Sequence, residues 1–319
     1  MTRHMNWFLK PSTRAFLQEA RRTPGYSLVD LLHGYIYARW TYLYIGIGTG
    51  EHPASKWFAL VSGWFSRLAT RNRGNEPAGA GISFSDTYHG KAVPLATAEQ
   101  LVHLHDGFEI PDLEKVVPYQ RARSIIMQHP DHIVVLDCPC RASRPHPCLP
   151  LDVCLVVGEP FASFVREHHA GRSRWITADE AVAILKAEDD RGHVHHAFFK
   201  DVMFDRFYAI CNCCACCCGA MQAHRNGTPM LASSGYVSQV DEDLCIACGD
   251  CSPYCQFDAL AVTDGVNQVA YEKCMGCGVC VSKCQQGALS LVRDEAKGVP
   301  LEICSVMAEA LIPAQAGCD

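Results

Sequence analysis

A duplicated cysteine pattern near the C-terminus constrains this chain more than any other feature. Cys245, Cys248, Cys251 and Cys255 follow the spacing C-x2-C-x2-C-x3-C, and Cys274, Cys277, Cys280 and Cys284 repeat it. Each cysteine of the second set lies 29 residues after its counterpart, as do Ala288 and Leu289 after Ala259 and Leu260. An offset shared by thiols and apolar residues marks two copies of one small unit. Zinc sites usually present cysteines as separated pairs, whereas here three thiols share one tight loop and a fourth follows closely. Three thiolates on such a loop can reach three irons of a cubane while backbone N–H groups turn toward its sulfurs. Gly249, Gly276 and Gly278 ease the backbone angles this needs. The spacing predicts two [4Fe–4S] clusters.

The paired motifs resemble those of bacterial two-cluster ferredoxins. There the fourth cysteine of each motif serves the other motif's cluster. The resemblance therefore implies Cys245, Cys248, Cys251 and Cys284 around one cluster, and Cys274, Cys277, Cys280 and Cys255 around the other. It also implies one-electron relay to or from redox partner proteins, with nothing in the module to activate a substrate. Gln256 and Gln285 depart from the pattern, because proline usually follows the fourth cysteine.

Twelve of the 20 cysteines lie outside these motifs. Cys304 and Cys318 sit near the tail and look incidental. The other ten form two knots. The first is Cys138-Pro-Cys140-Arg141, followed by Cys148 and Cys154; Arg141 and Arg144 would favour thiolates there. The second, Cys211-Asn-Cys213-Cys214-Ala-Cys216-Cys217-Cys218, puts six cysteines in eight residues. Packing does not call for that density, since Ala or Val fills a small apolar site equally well. Cys154, inside an apolar run, reads as an ordinary core residue. The remainder point to a further iron–sulfur cluster or metal, drawn from Cys138, Cys140, Cys148, Cys211, Cys213, Cys214, Cys216, Cys217 and Cys218. One arrangement joins Cys138, Cys140 and Cys148 with a few of the second knot. Disulfide redox chemistry is the competing use of these thiols.

At 319 residues the chain is long enough for two or three cores, and a net charge of −6 does not suggest a nucleic-acid partner. Met1 to Phe16 holds no apolar run, so no secretory signal is expected, and metal-holding thiols fit a cytoplasmic address. Ser27 to Gly48 approaches membrane-spanning length, but Asp30, His33 and Arg39 make it a buried helix or helix–strand pair. Trp57, Leu60, Val61, Trp64, Phe65 and Leu68 form an apolar stripe beside Lys56, Arg67, Arg71 and Arg73. A core-facing helix is favoured there over peripheral membrane contact. Asn72 to Gly81 reads as a loop and Asp112 to Gln128 as helical. His132 to Leu136 and Val153 to Val157 read as buried strands. Thr177 with Glu180 forms a capping-box pattern for a helix ending before Gly192. Gly227 to Gly235 is a turn-rich linker. Gly46-Ile-Gly48-Thr-Gly50 lacks the full dinucleotide frame. His193, His195 and His196, near Glu188, Asp189 and Asp190, read as a solvated polar loop in preference to a metal site.

His33-Gly34-Tyr35, Cys138-Pro-Cys140-Arg141, the Asn212 to Cys218 run and the C-terminal motifs together resemble a family of 4Fe–4S ferredoxin-type proteins of anaerobic bacteria. That resemblance spans most of the chain and supports cluster binding without supplying a substrate. The expected fold is α+β (mixed α/β). A largely helical region spans 1–126, a Cys-rich α/β domain 127–232, a two-cluster ferredoxin domain 233–295 and a tail 296–319. The expected function is single-electron transfer. The alternatives are a ferredoxin-fed reductase with an additional centre in the middle domain, and a redox or metal sensor.

Overall fold

Continuous β-branched and apolar runs form strands buried on both faces. The computed structural model describes residues 9–57, 88–104, 108–115, 122–228 and 230–301, and its largest element is an eight-stranded sheet. The strands are β1 (Tyr88–Val93), β2 (Phe108–Lys115), β3 (Ala122–Asp137), β4 (Asp152–Glu159), β5 (Ser173–Ile176), β6 (Val194–Lys200), β7 (Arg206–Cys213) and β8 (Leu231–Ala232). They run in the order β2-β3-β4-β7-β6-β1-β8, with β5 also paired to β3. The pairs are mostly antiparallel; β1 with β8 and a single contact of β3 with β7 are parallel.

The period of two sorts the side chains. Ile133 and Val135 of β3, Leu155 and Val157 of β4, Phe199 of β6 and Ile210 of β7 enter one core. Helices α4 (Leu95–Val102) and α7 (Ala178–Asp190) cover that face. Val134 and Leu136, Val156, Phe198 and Tyr208 point the other way, beneath α1 (Pro11–Arg22), α2 (Leu28–Arg39) and α6 (Phe161–His168). Each fully buried Val, Leu or Phe contributes about 1.5–3 kcal/mol, so both faces contribute heavily to stability. Three further helices are α3 (Thr41–Gly48), α5 (Pro139–Ala142) and α8 (Gly219–Arg225).

The C-terminal module follows β8. Its strand β9 (Tyr236–Val240) pairs with β12 (Leu289–Arg293), and β10 (Leu260–Thr263) pairs with β11 (Val266–Val269). Helix α9 (Val279–Lys283) follows the second cysteine loop.

Several expectations are corrected. Within Asp112 to Gln128, residues 112–115 belong to β2 and 122–128 to β3, which pair antiparallel, so the described part is strand, not helix. Residues within 1–126 supply β1, β2 and the start of β3, so the sheet crosses the expected boundary at 126. Ser27 to Gly48 forms two helices, and Leu28 and Val29 on the outer face of α2 are 83% and 75% exposed, so the segment is not buried throughout. Among the described residues no helix is long and apolar enough to cross a membrane. Gly46 and Gly48 lie in the last turn of α3, not in a strand–turn–helix. The stripe beyond Trp57, the 72–81 loop, Cys304 and Cys318 lie outside the described residues. The linker from Gly227 contains β8. Thr177 accepts a hydrogen bond from Glu180 N as expected, while the Glu180 carboxylate pairs with Arg174.

Gly34 lies within α2, where alanine would ordinarily improve helix propensity by about 1 kcal/mol. Here a Cβ would stand 2.2 Å from Val202 O and 2.7 Å from Tyr26 Oη. Tyr26 Oη itself donates to Val202 O (2.7 Å), so the glycine lets α2 rest on this turn. Gly34→Ala should therefore lower stability despite its better propensity, and a lower midpoint in a thermal or urea melt checks it.

Candidate metal centre

Strand parity also places the cysteines. Cys211 and Cys213 alternate with Asn212 along β7, and both join the core face that holds Leu136, Cys154 and Val156. Cys138 begins the turn after β3, and Cys140 lies in α5. Cys218 caps α8. The result is a chain of neighbouring thiols. Cys211 meets Cys154 (Sγ–Sγ 3.8 Å), and Cys213 meets Cys218 (3.3 Å). Cys138 contacts both Cys154 and Cys140, and Cys140 contacts Cys218. These six cysteines line one cavity of about 90 Å³, walled by Tyr37, Phe161, Phe198 and Tyr208, and Cys214 and Cys217 reach its edge. Cys154 thus belongs to the thiol ring and is not merely a core residue. Spacing in the sequence carried no signal for this, because the grouping depends on the face of β4 that position 154 occupies.

Cys148 does not join Cys138 and Cys140. It stands with Cys214, Cys216 and Cys217, and all four sulfurs lie within 4.8 Å of one another. The ten cysteines therefore fall into a mostly buried ring of six and a partly exposed quartet, which touch where Cys214 and Cys217 border the ring's cavity.

Hydrogen bonding among the thiols and burial raise Cys138, Cys140, Cys154, Cys213 and Cys218 above the ordinary thiol range. Hydrogen bonding with Cys140, then burial, pushes Cys138 up to about 12. Cys213 also reaches about 12: the hydrogen bond from Cys218 opposes the rise, but burial and the neighbouring thiols outweigh it. Such thiols lose their protons when a metal cation replaces them.

Arg141 braces the two knots. Its Nη2 donates to Glu188 Oε2 (2.5 Å) and to Asn212 O (3.1 Å), and its Nη1 donates to Pro150 O (2.6 Å). His193 Nδ1 also pairs with Glu188 Oε2 (2.6 Å). The Arg141 and Glu188 side chains are 1% and 0% exposed. This corrects the expected solvated loop: His193, His195, His196 and Glu188 are all buried, because β6 is an interior strand. His195 Nδ1 bonds Asn212 Oδ1 (2.6 Å), and Asn212 Nδ2 donates to Val153 O (2.7 Å).

In the C-terminal module, one small cavity is lined by Cys245, Cys248, Cys251 and Cys284. Another is lined by Cys255, Cys274, Cys277 and Cys280. Each cavity takes three thiols from one motif and the fourth from the other. Hydrogen-bond donors aim at the sulfurs: Ala259 N at Cys255 (3.2 Å), Ala288 N at Cys284 (3.3 Å), Ser238 N at Cys274 (3.4 Å) and Asn267 Nδ2 at Cys251 (2.9 Å). Gly276 has φ +61°, and a Cβ there would meet Tyr236 O at 2.1 Å, so the loop closes only without a side chain. These residues fit two cubanes.

Comparison with known proteins agrees. Residues 238–261 and 268–290 each match the 4Fe-4S binding domain family. The C-terminal module therefore binds 4Fe–4S clusters and serves electron transfer. No curated protein matches the chain.

The module docks directly on the cysteine-rich face. Met275 and Val279 are buried in its core, and Phe257 and Cys277 pack against it. Gln256 Oε1 accepts from Ala215 N (2.8 Å), and Gln256 Nε2 donates to Gly192 O (2.9 Å). The departure from proline thus has a use, since proline has no side-chain amide to bridge with.

Two outcomes follow. Arg141→Ala should destabilise the protein by about 3–5 kcal/mol by stranding a buried carboxylate, with Glu188→Ala similar and the double variant less than additive in denaturant melts. Gln256→Pro should keep the cluster iron while leaving Ala215 N unpaired, at a cost of about 1–3 kcal/mol, seen as faster amide exchange at Ala215.

Proposed function

We propose that this chain is an iron–sulfur electron-transfer protein that takes single electrons from, or returns them to, a partner protein. One observation carries the reading: each cavity of the module gathers four cysteines from both motifs, and the two cavities differ in setting. Cys245, Cys248, Cys251 and Cys284 would hold the outer cluster. Cys248 is exposed there, with Leu244 and Ile246 as exposed apolar neighbours, which suits a transient redox partner. Cys255, Cys274, Cys277 and Cys280 would hold the inner cluster, whose Cys277 rests on the middle domain. When bound, the clusters accept and release one electron at a time. The N–H···S bonds and burial around the thiolates set the potentials.

The ring of Cys138, Cys140, Cys154, Cys211, Cys213 and Cys218 favours a second reading, a reductase fed by the module. The described cysteines of the ring contain no three sulfurs within 4.8 Å of one another, so they surround their cavity instead of converging on a point. That spread suits an additional iron–sulfur centre better than one ion. Tyr37 Oη and Tyr208 Oη, 2.7 Å apart, give the same cavity a polar edge.

Shared ligation makes the test specific. Cys284→Ser should cost about four iron and four sulfide, the content of one cubane. Combining it with Cys245→Ser should cost no more, whereas combining it with Cys274→Ser should empty both sites. Anaerobic iron and sulfide analysis of the single and double variants reads this. In the unaltered chain, more than about eight iron and eight sulfide supports the additional centre; eight of each leaves the relay alone.

A further inference from the structure

The quartet Cys148, Cys214, Cys216 and Cys217 has a geometry unlike that of the other cysteine groups. Its sulfurs stand 3.1 Å apart between Cys148 and Cys216, 3.7 Å between Cys214 and Cys148, and 3.7 Å between Cys216 and Cys217. A tetrahedral ion with metal–sulfur bonds of about 2.3 Å holds its thiolates about 3.8 Å apart. A cubane spreads its ligands over four irons and keeps them further apart. The chain supplies its own comparison. Among the described residues, neither module quartet has three sulfurs within 4.8 Å of one another, while here all four are that close.

We propose that Cys148, Cys214, Cys216 and Cys217 hold a single thiophilic divalent ion, zinc or ferrous iron, in a mononuclear tetrathiolate site separate from any sulfide-bearing centre. This rests on the reading of the middle region as metal-binding, and adds a ligand set and a nuclearity to it. Four sulfurs at these separations enclose one ion and leave no place for bridging sulfide.

The loop that carries three of the ligands is held by side chains at successive residues. Ala215 N donates to Gln256 Oε1, Cys216 O accepts from Gln222 Nε2 (3.0 Å), and Cys217 O accepts from Arg144 Nε (3.3 Å) and Nη2 (3.2 Å). Arg144 also sits four residues before Cys148, so it links the segment bearing the fourth ligand to the loop bearing the other three. Outer partners of this kind orient ligands and sharpen affinity. The Gln256 contact means that the ion would stiffen the seam on which the ferredoxin module rests.

The test compares metals with sulfide in the full chain, purified without oxygen. Cys216 is exposed, so Cys216→Ser should leave the core intact; Cys148→Ser attacks the opposite segment. Each should lose one zinc or iron per chain by elemental analysis with acid-labile sulfide unchanged. Cys216→His, which supplies a nitrogen ligand, should retain the ion. Zinc and iron are told apart by element, and either supports the site. A fall in sulfide together with metal would overturn it, by making these cysteines ligands of a sulfide-bearing centre. So would an unchanged metal count, or a Cys148–Cys216 disulfide found after anaerobic alkylation and mass spectrometry. If sulfide is missing from the unaltered chain, the iron–sulfur reading fails, while loss of one ion in Cys216→Ser would still stand.

Discussion

The buried pair of Arg141 and Glu188 holds together what the rest of the cysteine-rich face depends on. A guanidinium and a carboxylate withdrawn from water lose hydration worth several kcal/mol each, which their attraction offsets only in good geometry. Here the guanidinium also satisfies Pro150 O and Asn212 O, and His193 completes the carboxylate. Those contacts join the turn after β3, the end of α7, β6 and β7. An apolar replacement could fill the space, but it could not specify that Cys138 and Cys140 face Cys211 and Cys213. The ion pair thus acts as a register device for two segments separated by some seventy positions of chain.

On that frame, the antiparallel sheet brings the thiols together. Leu136 of β3 pairs with Cys154 of β4, and Leu155 of β4 with Ile210 of β7. Cross-strand neighbours share a face, so cysteines from three separate stretches reach one cavity although the stretches are apart in sequence. The ferredoxin module then closes the same face through Met275, Val279 and the Gln256 bridge. Its inner quartet lies against the core beneath the sheet and its outer quartet beside exposed Leu244 and Ile246, so the two cysteine groups differ in setting.

Where local pattern met tertiary override, the sequence misled for identifiable reasons. His193, His195 and His196 beside three acids have the composition of a loop, yet the histidines, Glu188 and Asp189 are buried in and beside the interior strand β6, and only Asp190 stays exposed. Residues 112–115 and 122–128 are helix-compatible, but pairing of β2 with β3 makes them strand. The α2 segment was too charged to span a bilayer, and it is indeed a short helix, although its outer apolar face stays exposed.

By itself the sequence determined the ferredoxin motifs, because a cluster-binding loop needs its thiols at set short intervals and its glycines at set turns, and that information is local. It also showed that the middle cysteines exceed any packing need. Only the tertiary structure divided those ten into a ring of six and a quartet, moved Cys148 away from Cys138 and Cys140, and drew Cys154 into the ring. Ligand grouping there depends on strand parity, register and a buried ion pair across distant segments, none of which a linear spacing records.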